Sequence, residues 1–247
     1  MLSVVIITKN EERNIGRCLE SLQKIADEII VIDGFSIDQT QKICEKYGVK
    51  FVQNTWLGYS ETKNFGNSLA KHDYILSLDA DEALSEELQK SLILLKKNGF
   101  SADSYQMNRL TSYCGQWIKH CGWHPDRKLR LWNKNKGFWQ GIIHEKVEMQ
   151  SPKIEFLQGN ILHWSYYNIS EHIQKANVYS SLGAENNFKN GKKGSIFKIL
   201  FSPLIKFLKS YVLQTGFLDG FYGFVICSIA SYETFLKYLK TRELEKK

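Results

Sequence analysis

A chain of 247 residues with 43% hydrophobic and 24% charged residues can build one α/β domain with an appendage, which excludes a disordered or collagen-like chain. Its net charge of +7 lies in residues 187–247, where 11 Lys and Arg meet four acids, while the rest holds 22 of each sign. A surplus so localised points to an anionic membrane surface, with a solvated basic tail as the plain alternative; basic residues alternating with large aliphatics do not suit nucleic acid.

Short apolar, β-branched runs at residues 2–8, 28–33, 49–53 and 74–78 read as strands. Helical periodicity fills the intervals at 11–25, 38–47, 60–70 and 85–98, and Ser85 ahead of Glu86 and Glu87 reads as an N-cap. Continuous apolar strands alternating with helices predict parallel βαβ units. Beyond residue 99 the pattern changes to strands at 104–113, 128–132, 144–149 and 160–164, then a helix over 170–186. The tract Asn190-Gly191-Lys192-Lys193-Gly194 reads as a linker, followed by apolar, Lys-bearing helices over 196–214 and 217–241. None of the apolar runs reaches the roughly 20 residues of a spanning helix, and no signal peptide is expected. Five cysteines without a CxxC pair fit a reducing compartment.

In open parallel sheets, ligands bind beyond the C-terminal strand ends. Those ends carry Thr8-Lys9-Asn10-Glu11, Asp33-Gly34 and Asp79-Ala80-Asp81-Glu82. Carboxylates converging in one crevice repel unless a cation or hydrogen-bonding ligand stabilises them. An Asp-x-Asp leaving a strand can send one carboxylate to a ribose and one to a hard divalent ion, Mg²⁺ or Mn²⁺. A solvated turn is the alternative, since Asp-x-Asp alone is a common pattern.

Three segments now combine: Ser3–Glu11, Ile30–Thr40 and Leu78–Glu82. They resemble the successive signatures of family 2 glycosyltransferases, which have the GT-A fold, and span residues 3–82 in the family's order and spacing. The resemblance implies that Asp33 meets the nucleobase, with Thr8, Asn10 and Glu11 near the nucleoside. It implies that Asp79 and Ala80 lie at the ribose and Asp81 at the metal. Lys63, in Lys63-Asn64-Phe65-Gly66, falls where related enzymes place a basic residue near the diphosphate; a solvated helix face is the alternative. Asp38 is expected to stabilise the helix that follows it.

The tracts 122–132, 139–145 and 163–166 resemble a narrower subset, lipopolysaccharide core glucosyltransferases. In that reading Glu145 is the catalytic base, with Asp126 second, because an inverting transfer must take a proton from the acceptor hydroxyl. The alternative for Glu145 is a surface carboxylate paired with Lys146. His144 is placed to orient Glu145 or touch the diphosphate, and His163 to be a further metal ligand, against a buried hydrogen-bonded role. His120, Cys121, His124 and Cys114 match no standard zinc spacing. The Trp residues at 117, 123, 132, 139 and 164 are either sugar-stacking platforms or packing.

The expected molecule is a GT-A, α/β, Rossmann-like doubly wound and mostly parallel sheet, with a mixed acceptor-side half and C-terminal amphipathic helices. Residues 1–190 form the glycosyltransferase domain, 1–99 its nucleotide-sugar half and 100–190 its acceptor half. Residues 191–247 form a membrane-associating helical segment. The expected activity is metal-dependent hexosyl transfer, of glucose or a relative, from a UDP-sugar to a lipid-linked glycan such as a lipopolysaccharide core. It is expected in the cytoplasm, peripheral at the inner face of the plasma membrane. The rivals are a polyprenyl-phosphate glycosyltransferase and an inactive membrane-bound scaffold. A nucleotidyltransferase is disfavoured, since Thr8–Glu12 lacks the Gly-rich, Arg-bearing loop.

Overall fold

Leu2–Thr8 forms β1, buried along its whole length, because its Val and Ile side chains are covered on both faces of a parallel sheet. The computed structural model describes residues 1–141, 145–150 and 153–246. After β1 come α1 (Ile15–Leu22), β2 (Glu28–Asp33), α2 (Thr40–Lys46), β3 (Lys50–Gln53), α3 (Tyr59–Ser68) and β4 (Tyr74–Asp79). α1 buries Ile15, Cys18, Leu19 and Leu22, the stripe its periodicity predicts. A short β5 (Glu82–Leu84) leads to α4 (Glu86–Asn98), whose N-cap Ser85 accepts the Leu88 N–H. Then follow β6 (Ser104–Tyr113), β7 (Gln116–Ile118), β8 (Asp126–Asn133), β9 (Gly137–Gln140), β10 (Lys146–Met149) and β11 (Ile154–Tyr166). Helices α5 (Ile169–Lys189), α6 (Ile196–Leu208) and α7 (Gly220–Leu244) complete the chain.

The chain divides into two compact units, Met1–Arg109 with Asp126–Trp164, and Leu110–Pro125 with Ser165–Lys247. In the first unit β3-β2-β1-β4 are parallel, β8 pairs antiparallel with β4 and β6 with β8, and the order runs on through β11 to β5. This is the expected α/β GT-A architecture, with the sheet parallel across β3-β2-β1-β4 and antiparallel in the pairs β4-β8, β8-β6 and β11-β5, so that it is mixed and not mostly parallel. Thr8 lies opposite Asp33 and Ile7 opposite Asp79, so β2, β1 and β4 end at one edge. β9 and β10 form a separate antiparallel pair.

β8 and β6 break register in a way that matters. Tyr105 faces Leu131 and Gln106 faces Leu129, so Arg130 is the extra residue of a β-bulge. A bulge bends its strand and re-aims a side chain. β11 is longer than the run at 160–164 suggests, and within it Gly159, at φ +100°, lies where a Cβ would collide with the Leu88 backbone. Glycine permits this close approach.

In the second unit α5 and α6 both pack on α7. Asn168, not Ser170, caps α5, accepting the Glu171 N–H while its amide donates to the Glu171 carboxylate. The expected helix over 196–214 is divided. α6 contains Pro203 and passes into a π-helical turn, Lys209–Leu213, before Thr215 turns left-handed at φ 51°. A 3-10 turn, Gly216–Asp219, then starts α7 at Gly220. No helix among the described residues is long and apolar enough to cross a membrane.

Candidate active site

At the ends of β1 and β2 two loops are sewn together. Asn10, left-handed at φ 55°, accepts the Ile37 N–H on its side chain and donates its own N–H to Ser36 Oγ. The buried Asp33 carboxylate accepts the Ser36 N–H and hydroxyl and, at 3.4 Å, the Gln53 amide. Asp38 accepts Thr40 N–H and Oγ1 at the start of α2, as its position implies. Glu11 accepts the Asn14 amide, and Glu11 N–H donates to Thr40 Oγ1. Thr8 is buried, and its hydroxyl has no hydrogen-bond partner among the described residues. Thr8, Asn10, Glu11 and Asp33 therefore share one rim, with the Asp33 carboxylate engaged by the loop that shapes it.

Asp79, the last residue of β4, sits between two cations. Its Oδ1 lies 3.0 Å from Lys63 Nζ and its Oδ2 3.0 Å from Arg130. Its N–H donates to Glu82 Oε2, and Glu82 Oε1 accepts from Arg130 at 3.0 Å and lies 3.6 Å from Arg109. Burial tends to raise the Asp79 carboxyl, but the Lys63 and Arg130 charges prevail and hold it well below the usual carboxylate range. Burial tends to lower Arg130, and Glu82 and Asp79 reverse that, keeping it charged. Both cations lie against Trp139, Lys63 Nζ at 4.5 Å and the Arg130 guanidinium at 5.6 Å from its ring centre. Lys63 is 1% exposed, so it is not the solvated helix residue weighed above.

Asp81 and His163 also meet. His163 Nε2 is 3.3 Å from Asp81 Oδ2, brought there because His163 pairs with Glu82 across β11 and β5. That separation is close to the ~3 Å between neighbouring donor atoms around an octahedral ion bound at about 2.1 Å. An oxygen and an imidazole nitrogen suit Mn²⁺ completed by phosphate oxygens, whereas Mg²⁺ would take the Asp81 oxygen with phosphate and water oxygens. Among the described residues no three His, Cys, Asp or Glu side chains converge on one metal position, at this site or around His120, Cys121 and His124. The residues present thus fit an ion shared with a diphosphate, and not a closed protein cage. Burial, then the nearby Glu82, Asp81 and Asp79 charges, push the buried Cys18 thiol up.

Glu145 Oε1 lies 2.9 Å from Lys63 Nζ, so the same ammonium joins it to Asp79; its partner is not Lys146 but a buried cation. Asp126 is held elsewhere, by Arg109 at 2.9 Å and Lys128 at 3.0 Å. His144 lies outside the described residues. Trp132 and Trp139 pack edge to face in the core, and Trp164 stacks on Arg17 at 4.2 Å. Sequence reasoning missed Arg130, Arg109 and the part played by Glu82. Their pairing depends on a bulge that one chain's sequence does not announce.

Residues 3–144 match the model of glycosyl transferase family 2. The chain belongs to that family. It is 36% identical to an uncharacterised glycosyltransferase of Rickettsia typhi, over all of this chain and 88% of the relative. It is 28% identical to the lipopolysaccharide core biosynthesis glycosyltransferase LpsC of Rhizobium meliloti, over 97% of this chain and 91% of LpsC. Among solved structures, S. aureus TarS in complex with UDP-GlcNAc aligns with 99% of this chain and 91% of its own, at 15% identity and a TM-score of 0.48. Glucosyl-3-phosphoglycerate synthase from Mycobacterium tuberculosis with Mn²⁺ and UDP aligns with 45% of this chain and 44% of its own, at 20% identity and a TM-score of 0.38. The family 2 chain is a glycosyltransferase.

Proposed function

We propose that this family 2 enzyme is an inverting, divalent-metal-dependent hexosyltransferase that moves glucose or a close relative from a UDP-sugar to a lipopolysaccharide core or related lipid-linked glycan. The observation that carries the reading is the single ion-pair network in which Lys63 and Arg130 hold Asp79, with Glu145 on the other side of Lys63. In this reading Asp33, Thr8, Asn10 and Glu11 hold the nucleoside, Asp79 with Ala80 holds the ribose, and Asp81 holds Mg²⁺ or Mn²⁺, with His163 a further ligand to Mn²⁺. A divalent ion bound there supplies positive charge to the departing diphosphate. Glu145 accepts the proton of the attacking acceptor hydroxyl, and the adjacent Lys63 ammonium, 2.9 Å away, orients its carboxylate. Asp126 is the weaker choice for this task, since its carboxylate is already shared by Arg109 and Lys128.

The acceptor class is supported by likeness to LpsC over nearly the whole chain. The exposed apolar residues of α6, among them Phe197, Leu200, Phe201, Leu204 and Ile205, support peripheral attachment at the inner face of the plasma membrane. Lys198, Lys206 and Lys209 between them suit an anionic surface. Screening UDP-sugars against lipopolysaccharide core acceptors, with Mn²⁺ or Mg²⁺, tests the assignment. The wild type is expected to transfer a hexose with inversion, and Glu145→Gln to lose about 100-fold or more in kcat at an unchanged donor KM. Transfer by Glu145→Gln at the wild-type rate removes Glu145 from the mechanism. A product in which the sugar sits on polyprenyl phosphate replaces the glycan acceptor with the lipid phosphate.

A further inference from the structure

In the second unit, a cavity of about 390 Å³ opens among Lys119, His120, His124, Gln214 and Thr215. The tract 119–121 that forms one wall is fixed from behind. The buried Asp219 carboxylate accepts the backbone N–H of Lys119 at 3.2 Å and of His120 at 2.8 Å, and lies 2.9 Å from His120 Nδ1. Cys121 N–H donates to the Gln214 carbonyl, joining this wall to the opposite one. With Nδ1–H donating to Asp219, Nε2 is the nitrogen left for a ligand, and it donates to an anion in the imidazolium form of the ring. Among the described residues no carboxylate lines the cavity. Its walls present an ammonium, two imidazoles, an amide and a hydroxyl, groups that together suit the oxygens of a phosphate ester.

The rim indicates where that phosphate comes from. Gln214 and Thr215 stand on the turn between α6 and α7, whose Leu213, Phe217 and Leu218 are 78%, 48% and 60% exposed. An apolar turn beside a site for anions places the donors at the depth of lipid headgroups when the turn enters the bilayer interface. We propose that the His120–Asp219 cavity binds the phosphate ester of an anionic lipid headgroup. The inference rests on the membrane-surface part of the proposed function and is independent of its nucleotide-sugar chemistry.

The test uses the full chain and two variants, His120→Gln and the exposed Lys119→Ala. Flotation is measured with phosphatidylcholine vesicles, with and without phosphatidylglycerol, alongside titration of glycerol 1-phosphate followed by the His120 imidazole NMR signals. The wild type is expected to favour phosphatidylglycerol vesicles, and each variant to lose about fivefold of that preference, the share of one basic contact. Binding to neutral vesicles and UDP-sugar turnover on a soluble acceptor stay unchanged, which shows the variants folded. Variants that keep the full preference, with no shift of the His120 signals by glycerol 1-phosphate, overturn the cavity while leaving surface attachment standing. A wild type that binds no vesicle overturns both. Glycerol 1-phosphate shifting His120, with no variant effect on vesicles, makes the ligand a soluble phosphate ester and overturns the lipid source.

Discussion

Arg130 has one guanidinium nitrogen shared between Asp79 and Glu82, and Glu82 is fully buried. Truncating one member of such a network leaves uncompensated charge in the interior, a far larger loss than the net worth of the pair. Arg130→Ala is therefore expected to lower stability by about 3 kcal/mol or more and to disorder Asp79. The urea unfolding midpoint reads the first effect and donor KM the second. Arg130→Lys should restore neither in full, because lysine is one atom shorter and cannot place its nitrogen where the shared guanidinium nitrogen sits between Asp79 and Glu82. Wild-type stability and donor KM in Arg130→Ala would show the network to be incidental. At this scale the sequence was legible where residues cluster locally: Asp79 and Asp81 are two positions apart at a strand end, and His163 follows an apolar run. Arg130 was not legible, because its position depends on the two-for-three register of Tyr105 and Gln106 against residues 129–131.

His172 on α5 is the element-scale counterpart. Its Nδ1 lies 3.0 Å from the Tyr113 hydroxyl within a cluster that includes Trp123 and Tyr166. Burial, and secondarily Lys175, lower it to about 4 from its ordinary 6.5. The unfolded chain then binds a proton between these values that the folded chain does not, so stability is complete above pH 6.5 and declines as pH falls toward 4. The full effect is about 3 kcal/mol, from a shift worth roughly 1.4 kcal/mol per unit. Melting temperatures between pH 7.5 and 4.5 should fall more steeply in the wild type than in His172→Phe, and equal slopes would contradict the assignment. Elements with strong periodicity were readable from the chain alone. β1, β2 and β6 match their expected bounds, and for β1 and β2 the reason is that buried β-branched runs leave few alternatives. The short β5, β7 and β9 were not, because three or four residues carry no period and exist only through their partners. The division of α6 from the π turn was hidden as well: the apolar pattern runs through Pro203 without a gap.

Across the whole molecule the two compact units divide the chemistry and the charge. The first carries the acidic strand ends with Lys63 and Arg130, and the second carries the apolar, Lys-rich helices. The charge excess of residues 187–247 falls in the second unit, to which residues 110–125 and 165–186 also belong. The central claim is that the β4 carboxylates bind a nucleotide through a divalent ion. Calorimetry of UDP binding, with and without Mn²⁺, on the wild type and Asp81→Asn measures it directly. Binding in the wild type should need Mn²⁺, and Asp81→Asn should lose about tenfold or more of the metal-dependent affinity, the order of magnitude of losing one charged ligand. Equal UDP affinity in both proteins, with or without Mn²⁺, would contradict the account.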